Sequence, residues 1–218
     1  GKHVLTEKPF CMTPEEGRAL CEVARASGRT LAVVHNFQFS TAFARMQRDI
    51  ESGRLGTLRS ITGAQLGNPR RRLPRWYQEL PPGLFFDESP HLLYLVERLA
   101  GPSLSLAHVH RVESTTGNAT PASIDVFYDS SMPAGNVPVS LHMRFESPVS
   151  EWQLMVAGDR GLGVVDIFRN IYIRLPNDGS HAAGNIVRTS LETALQHWGQ
   201  TVTQGIRHFT GRLDYGNG

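Results

Sequence analysis

The sequence predicts an α+β fold: a short βαβ unit, then a mostly antiparallel β-sheet covered by helices on one face. Three observations carry this. A strand, a helix with strong start signals and a nearly all-apolar strand succeed one another over residues 3–35. Two amphipathic helices, around residues 41–52 and 81–101, flank a further strand. From residue 103 to 175 the chain then breaks into short, often alternating segments separated by Gly, Pro, Asn and Asp.

Taken in order, residues 3–6 read as a strand. Thr13-Pro14-Glu15-Glu16 announces a helix: Thr13 can cap it, Pro14 suits its first position, and Glu16 can reach back as the capping-box partner. Leu20, Val23 and Ala24 are expected on its buried face, and Gly28 ends it. Residues 31–35 have the apolar, β-branched pattern of a strand covered on both faces, and should lie parallel to the first strand. Phe43, Met46 and Ile50 mark the next helix, stopped at Gly53, and residues 58–66 form a strand. The helix over 81–101 turns Leu92, Val96 and Leu99 inward. Strands are expected at 103–112, 123–128, 137–145, 152–157, 163–168 and 171–175, with exposed loops at 113–121 and 176–185. A last helix, 191–209, carries Leu191, Leu195, Trp198 and Val202 as one stripe.

Composition excludes several classes. With 218 residues, 40% hydrophobic and 19% charged, the chain can bury a sizeable core. A net charge of +2 is too small to argue for nucleic acid. The densest basic run, Arg70, Arg71, Arg72 and Arg75 near Pro74, reads as a solvated loop or an anion contact. Cys11 and Cys21 are too few for a disulfide framework and lack metal-ligand spacing, which fits reduced thiols in a cytoplasmic protein. No apolar run reaches the length of a membrane span, and no signal peptide is visible. His108 and His110 share a strand face and His142 can neighbour them, but no carboxylate or cysteine is seen to complete a metal site, so none is expected.

Two stretches carry chemistry. Asp87 and His91, four residues apart, project from one helix face. A carboxylate beside an imidazole raises its basicity and makes a general base; the same pair also fits a plain N-cap and its first-turn partner. Glu7-Lys8-Pro9 follows a strand directly, where ligands gather in open parallel sheets, although a surface turn reads the same way.

Lys-His-Val-Leu-Thr-Glu-Lys-Pro over residues 2–9, then a capped helix, a strand ending in His35-Asn36 and a helix opening with Asp-x-x-x-His together resemble the Gfo/Idh/MocA family of NAD(P)-dependent oxidoreductases. The resemblance covers nearly the whole chain and is densest over residues 1–101. It implies that residues 1–36 are the last part of a Rossmann dinucleotide-binding domain, and 37–218 a substrate-binding and oligomerisation domain. It implies that Lys8 sits at the nicotinamide and the substrate hydroxyl, that His91 exchanges the hydroxyl proton, and that Asp87 orients His91. Glu7, Lys8, Pro9 and Asn36 would then lie at NAD or NADP, with Gln38, Trp76 and Tyr94 at a sugar or polyol-like substrate. A homo-oligomer through the large sheet is implied as well.

The chain departs from the family's pattern in three places. Asn36-Phe37-Gln38-Phe39 lacks the usual Arg or Tyr, and the glycine-rich lead into the catalytic helix is reduced to Pro81-Pro82-Gly83. No Gly-x-Gly-x-x-Gly turn joins a strand to a helix; residues 158–163 have glycines in the wrong order, ahead of a strand. On this reading about 110–130 residues of the family's pattern, a domain's worth, precede Gly1, and the chain alone should neither bind NAD(P) tightly nor transfer hydride. The alternative expectation is a non-catalytic relative that binds a ligand as a regulator or partner.

Overall fold

The computed structural model describes residues 1–73, 75–101, 103–132, 135–180 and 182–211. Pro74 and His181, in two of the predicted loops, lie outside them. The first unit pairs β1 (Val4–Thr6) with β2 (Leu31–Val33) in parallel through α1 (Pro14–Ala26). The capping box forms as predicted: Thr13 Oγ1 accepts from Glu16 N–H, and the Glu16 carboxylate accepts from Thr13 N–H. The buried face of α1 does not. Leu20 and Val23 are exposed, and only Gly17 is buried, against Phe10 and Cys11. Two three-residue strands are too small a platform to cover a helix of this length. For the same reason β2 is half-buried rather than covered on both faces.

The larger unit is one seven-stranded sheet. It comprises β3 (Leu58–Leu66), β4 (Leu104–Val112), β5 (Ser123–Met132), β6 (Gly135–Arg144), β7 (Glu151–Gly158), β8 (Gly161–Asp166) and β9 (Ile171–Pro176), in the order β4-β5-β6-β3-β7-β8-β9. Every pair is antiparallel except β3 with β6. Alternation then puts Ile61, Leu141, Leu154, Val156 and Val165 on one face, all fully buried. Against that face lie α2 (Thr41–Glu51), with Phe43 and Met46, and α3 (Leu84–Ala100), with Leu92 and Val96. Gly63 in β3 leaves room for a side chain of the neighbouring strand: a Cβ there would stand 2.7 Å from Leu141 Cδ2 of β6, and at an ordinary 3.6 Å from Leu92 of α3. The α+β class is therefore as read from the sequence.

The last helix, α4 (Ala183–Phe209), starts earlier than Leu191 and turns the unexpected way. Leu191, Leu195, Trp198 and Val202 are exposed, and its glutamines face the edge of β9. Gln196 accepts from Arg174 N–H and donates to Arg174 C=O. Gln200 does the same for Tyr172, and Gln204 donates to Asn170 C=O. A row of side-chain amides, one per helical turn, thus stands in for a missing strand and satisfies an edge that would otherwise invite pairing. Gln200→Leu should cost about 1–3 kcal/mol and speed amide exchange at Tyr172, because it strands two backbone groups at once; urea unfolding and hydrogen exchange measure both.

Candidate active site

Lys8 lies just past the carboxyl end of β1 and reaches α3. Its Nζ donates to Asp87 Oδ1 at 2.8 Å and to the Asp87 carbonyl at 2.6 Å. The two side chains are only 15% and 17% exposed, so the pair is shielded but open on one side. Residues 79 positions apart are joined here, and Lys8 thereby ties the β1–β2 unit to the sheet unit.

The start of α3 places Asp87. Gly83 precedes the helix at φ 67°, and a Cβ there would meet Thr120 N at 2.7 Å. Thr120 Oγ1 accepts from Leu84 N–H at 2.8 Å and caps the helix from a distant loop. Asp87 is therefore a full turn inside α3 and is not the N-cap. Its carboxylate belongs to Lys8.

That corrects the expected partnership. His91 Nδ1 lies 2.9 Å from the Tyr94 hydroxyl, and among the described residues no hydrogen bond joins Asp87 to His91. The ring sits between Phe37 and Trp152, with centroids 4.7 and 5.4 Å away. Burial, followed by the positive charge of Lys8 and then His35, lowers the His91 pKa to about 3. The imidazole is neutral at physiological pH, and its basicity is lowered where a carboxylate partner was expected to raise it.

Tyr94 is only 4% exposed, so it is not placed to touch substrate as the resemblance implied. Its hydroxyl accepts from Phe37 N–H at 3.2 Å and donates to Asn36 Oδ1 at 3.1 Å, and its ring stacks on His35 at 4.3 Å. Burial pushes the phenol pKa up. Gln38 is half-buried, its amide 3.5 Å from the Tyr94 carbonyl. Asn36 thus stands behind His91, Glu7 is exposed, and Pro9 lines a groove of about 560 Å³ with Phe10, Leu20, Trp76, Leu80 and Phe86. Trp76, 49% exposed, forms part of that apolar wall.

Beside Asp87, Glu88 is buried and bonded to Gln65 and Arg71. Burial pushes its carboxyl pKa up and outweighs the guanidinium pulling it down. Arg71 is therefore committed to the core side of its loop, while Arg70 and Arg72 are exposed. On the far strands Asp125 takes a hydrogen bond from His142 at 2.8 Å and lies 3.8 Å from His110, a carboxylate the sequence did not point to. Among the described residues no group of three potential ligands could hold a metal. His35, Phe37 and Trp152 escaped prediction. Trp152 lies 61 positions beyond His91 in chain order, and only the sheet brings them together.

The model of GFO_IDH_MocA, described as an oxidoreductase family with an NAD-binding Rossmann fold, matches residues 1–35. The uncharacterized oxidoreductase YdgJ of Escherichia coli K12 is 32% identical over 109 residues, which is 49% of this chain and 31% of that protein. D-glucoside 3-dehydrogenase of the same strain is 34% identical over 76 residues, 35% of this chain and 21% of that protein. Among solved structures, the WlbA dehydrogenase from Bordetella pertussis, in complex with NADH and UDP-GlcNAcA, superposes with a TM-score of 0.66 over 97% of this chain and 63% of its own, at 19% identity. The chain spans a third or less of these curated relatives. The match to the Gfo/Idh/MocA oxidoreductase family model lies in residues 1–35, curated oxidoreductases align with up to half of the chain, and the described fold is that of the superposed dehydrogenase.

Proposed function

We propose that the protein containing these residues transfers hydride between NAD(P) and a secondary alcohol of a sugar or polyol-like substrate. One observation carries the reading: Lys8, at the end of a parallel strand, is clasped to Asp87 one helical turn from a half-buried, neutral His91, beside the groove of Pro9 and Trp76. The sugar class is supported by what the matched D-glucoside 3-dehydrogenase is named for.

The residues present fit the nicotinamide end of such a cofactor. They do not supply its phosphate cradle, since the connection from β1 to α1, residues 7–13, holds Pro9 and no glycine. Residues 1–36 are accordingly read as the last part of the dinucleotide domain and 37–218 as the substrate domain. Bound nicotinamide supplies the hydride acceptor or donor. This chain's residues handle the oxygen and its proton. Lys8 has three N–H donors and spends two on Asp87, which leaves one for a substrate oxygen. His91 Nε2 receives the hydroxyl proton. A weak base suffices, because the hydroxyl becomes strongly acidic as hydride departs and the carbon–oxygen bond becomes a carbonyl. Lys8 stabilises the oxygen's charge throughout.

The exposed Leu106, Val109 and Val112 on edge strand β4 suit association with a second copy. Cytoplasmic location belongs to the same reading, with Cys11 and Cys21 both free; no helix among the described residues is long and apolar enough to cross a membrane. The test is to assay the full-length protein with NAD and NADP against aldoses, glycosides and cyclic polyols. Substrate-dependent formation of reduced nicotinamide is expected. Cofactor binding without turnover across that panel would favour a ligand-binding regulator instead.

A further inference from the structure

A phenol oxygen offers one hydrogen and two lone pairs, and the Tyr94 hydroxyl has three protein neighbours. The Phe37 N–H can only donate to it, and occupies one lone pair at 3.2 Å. Asn36 Oδ1 can only accept, and takes the phenol hydrogen at 3.1 Å. One lone pair is left, and it faces His91 Nδ1 at 2.9 Å. That last contact is a hydrogen bond only if Nδ1 carries the proton. A neutral imidazole has one N–H, so Nε2 must then be bare. Among the described residues Nε2 has no hydrogen-bond partner, and it is the ring atom free to meet a ligand.

The surroundings hold this arrangement still. The Tyr94 ring is stacked on His35 with planes 13° apart, and the His91 ring is boxed by Phe37 and Trp152. Tyr94 stands three residues, about one turn, beyond His91 on α3, so the helix fixes their spacing.

We propose that the Tyr94 hydroxyl, oriented by Phe37 N–H and Asn36 Oδ1, locks His91 in the Nδ1–H tautomer and keeps Nε2 as the proton acceptor of the site. Tyr94 is thus a positioning residue, doing for His91 what Asp87 was expected to do. The tautomer follows from the hydrogen-bond pattern alone. Its use in proton transfer rests on the dehydrogenase reading above.

The tautomer can be read without any activity. Long-range proton–nitrogen NMR correlation on the 218-residue chain, labelled with nitrogen-15 at histidine, distinguishes a protonated from a bare ring nitrogen; His91→Asn assigns the signal. A protonated Nδ1 and bare Nε2 are expected near neutral pH. Tyr94→Phe should move His91 toward the Nε2–H form that an unconstrained histidine side chain prefers, and in the full-length protein should lower kcat about ten-fold or more with KM little changed. An Nε2–H tautomer in the unaltered chain overturns the proposal, and that measurement stands even if Tyr94→Phe fails to fold. A Tyr94→Phe chain that folds with its tautomer unchanged overturns it too. An Nδ1–H tautomer in a protein that turns over no alcohol would leave the lock in place and remove only the dehydrogenase reading.

Discussion

His91→Asn in the full-length protein is expected to cut kcat by about 10² to 10⁴-fold while the dissociation constant of the nicotinamide cofactor moves little. Asparagine keeps a polar group near Tyr94 and fits the slot between Phe37 and Trp152, but cannot take a proton. Because the lost interaction is made only as the proton moves, kcat and kcat/KM should fall together. Equal turnover in both proteins would take His91 out of the mechanism. The same substitution has a signature in the isolated chain. His91 titrates at 6.5 when unfolded and at about 3 when folded, so between those values the unfolded state binds more protons. Stability therefore rises with pH across that window and is lost as pH falls through it, by at most about 1.4 kcal/mol per pH unit for one proton. Urea midpoints from pH 3 to 7 should show a flatter profile for His91→Asn than for the unaltered chain.

Local signals were enough for much of this molecule. Thr13, Pro14 and Glu16 announce α1 because a capping box is built from residues within one turn. What failed was non-local. The apolar positions of α1 and of α4 were legible as stripes, but whether a stripe is covered depends on what packs over it, and neither stripe carries that information. Gln196, Gln200 and Gln204 look like an ordinary polar face until the edge of β9 is seen beside them.

The site divides in the same way. The spacing of Asp87 and His91 was visible, and from spacing alone they seem natural partners. The helix offers His91 two neighbours on one face, one turn before it and one turn after. Which one it uses is settled by Lys8, which arrives from residue 8 and takes the carboxylate, leaving Tyr94 for the imidazole. The cap that places α3 comes from Thr120 and the wall of the slot from Trp152, contributions made only after the sheet has formed.

Lys8→Met should then produce two losses that a second substitution can separate. Methionine keeps the unbranched stem and removes the ammonium, so Asp87 is left as a shielded carboxylate without its counter-charge. Since the pair is partly open to water, the cost should be about 1–3 kcal/mol, below that of a fully buried pair. The tie between the β1–β2 unit and α3 is cut as well, and amides of residues 4–6 and 31–33 should exchange faster. Turnover of the full-length protein should fall by about 10² to 10³-fold, the scale of losing one preorganised charge at the reacting oxygen. Adding Asp87→Asn removes the unpaired carboxylate, and most of the lost stability should return because the two residues are coupled. Turnover should not return, since nothing replaces the third N–H of Lys8 at the substrate. A double variant that recovers both would reduce Lys8 to a structural strut, whereas recovery of stability alone assigns the ammonium to the chemistry.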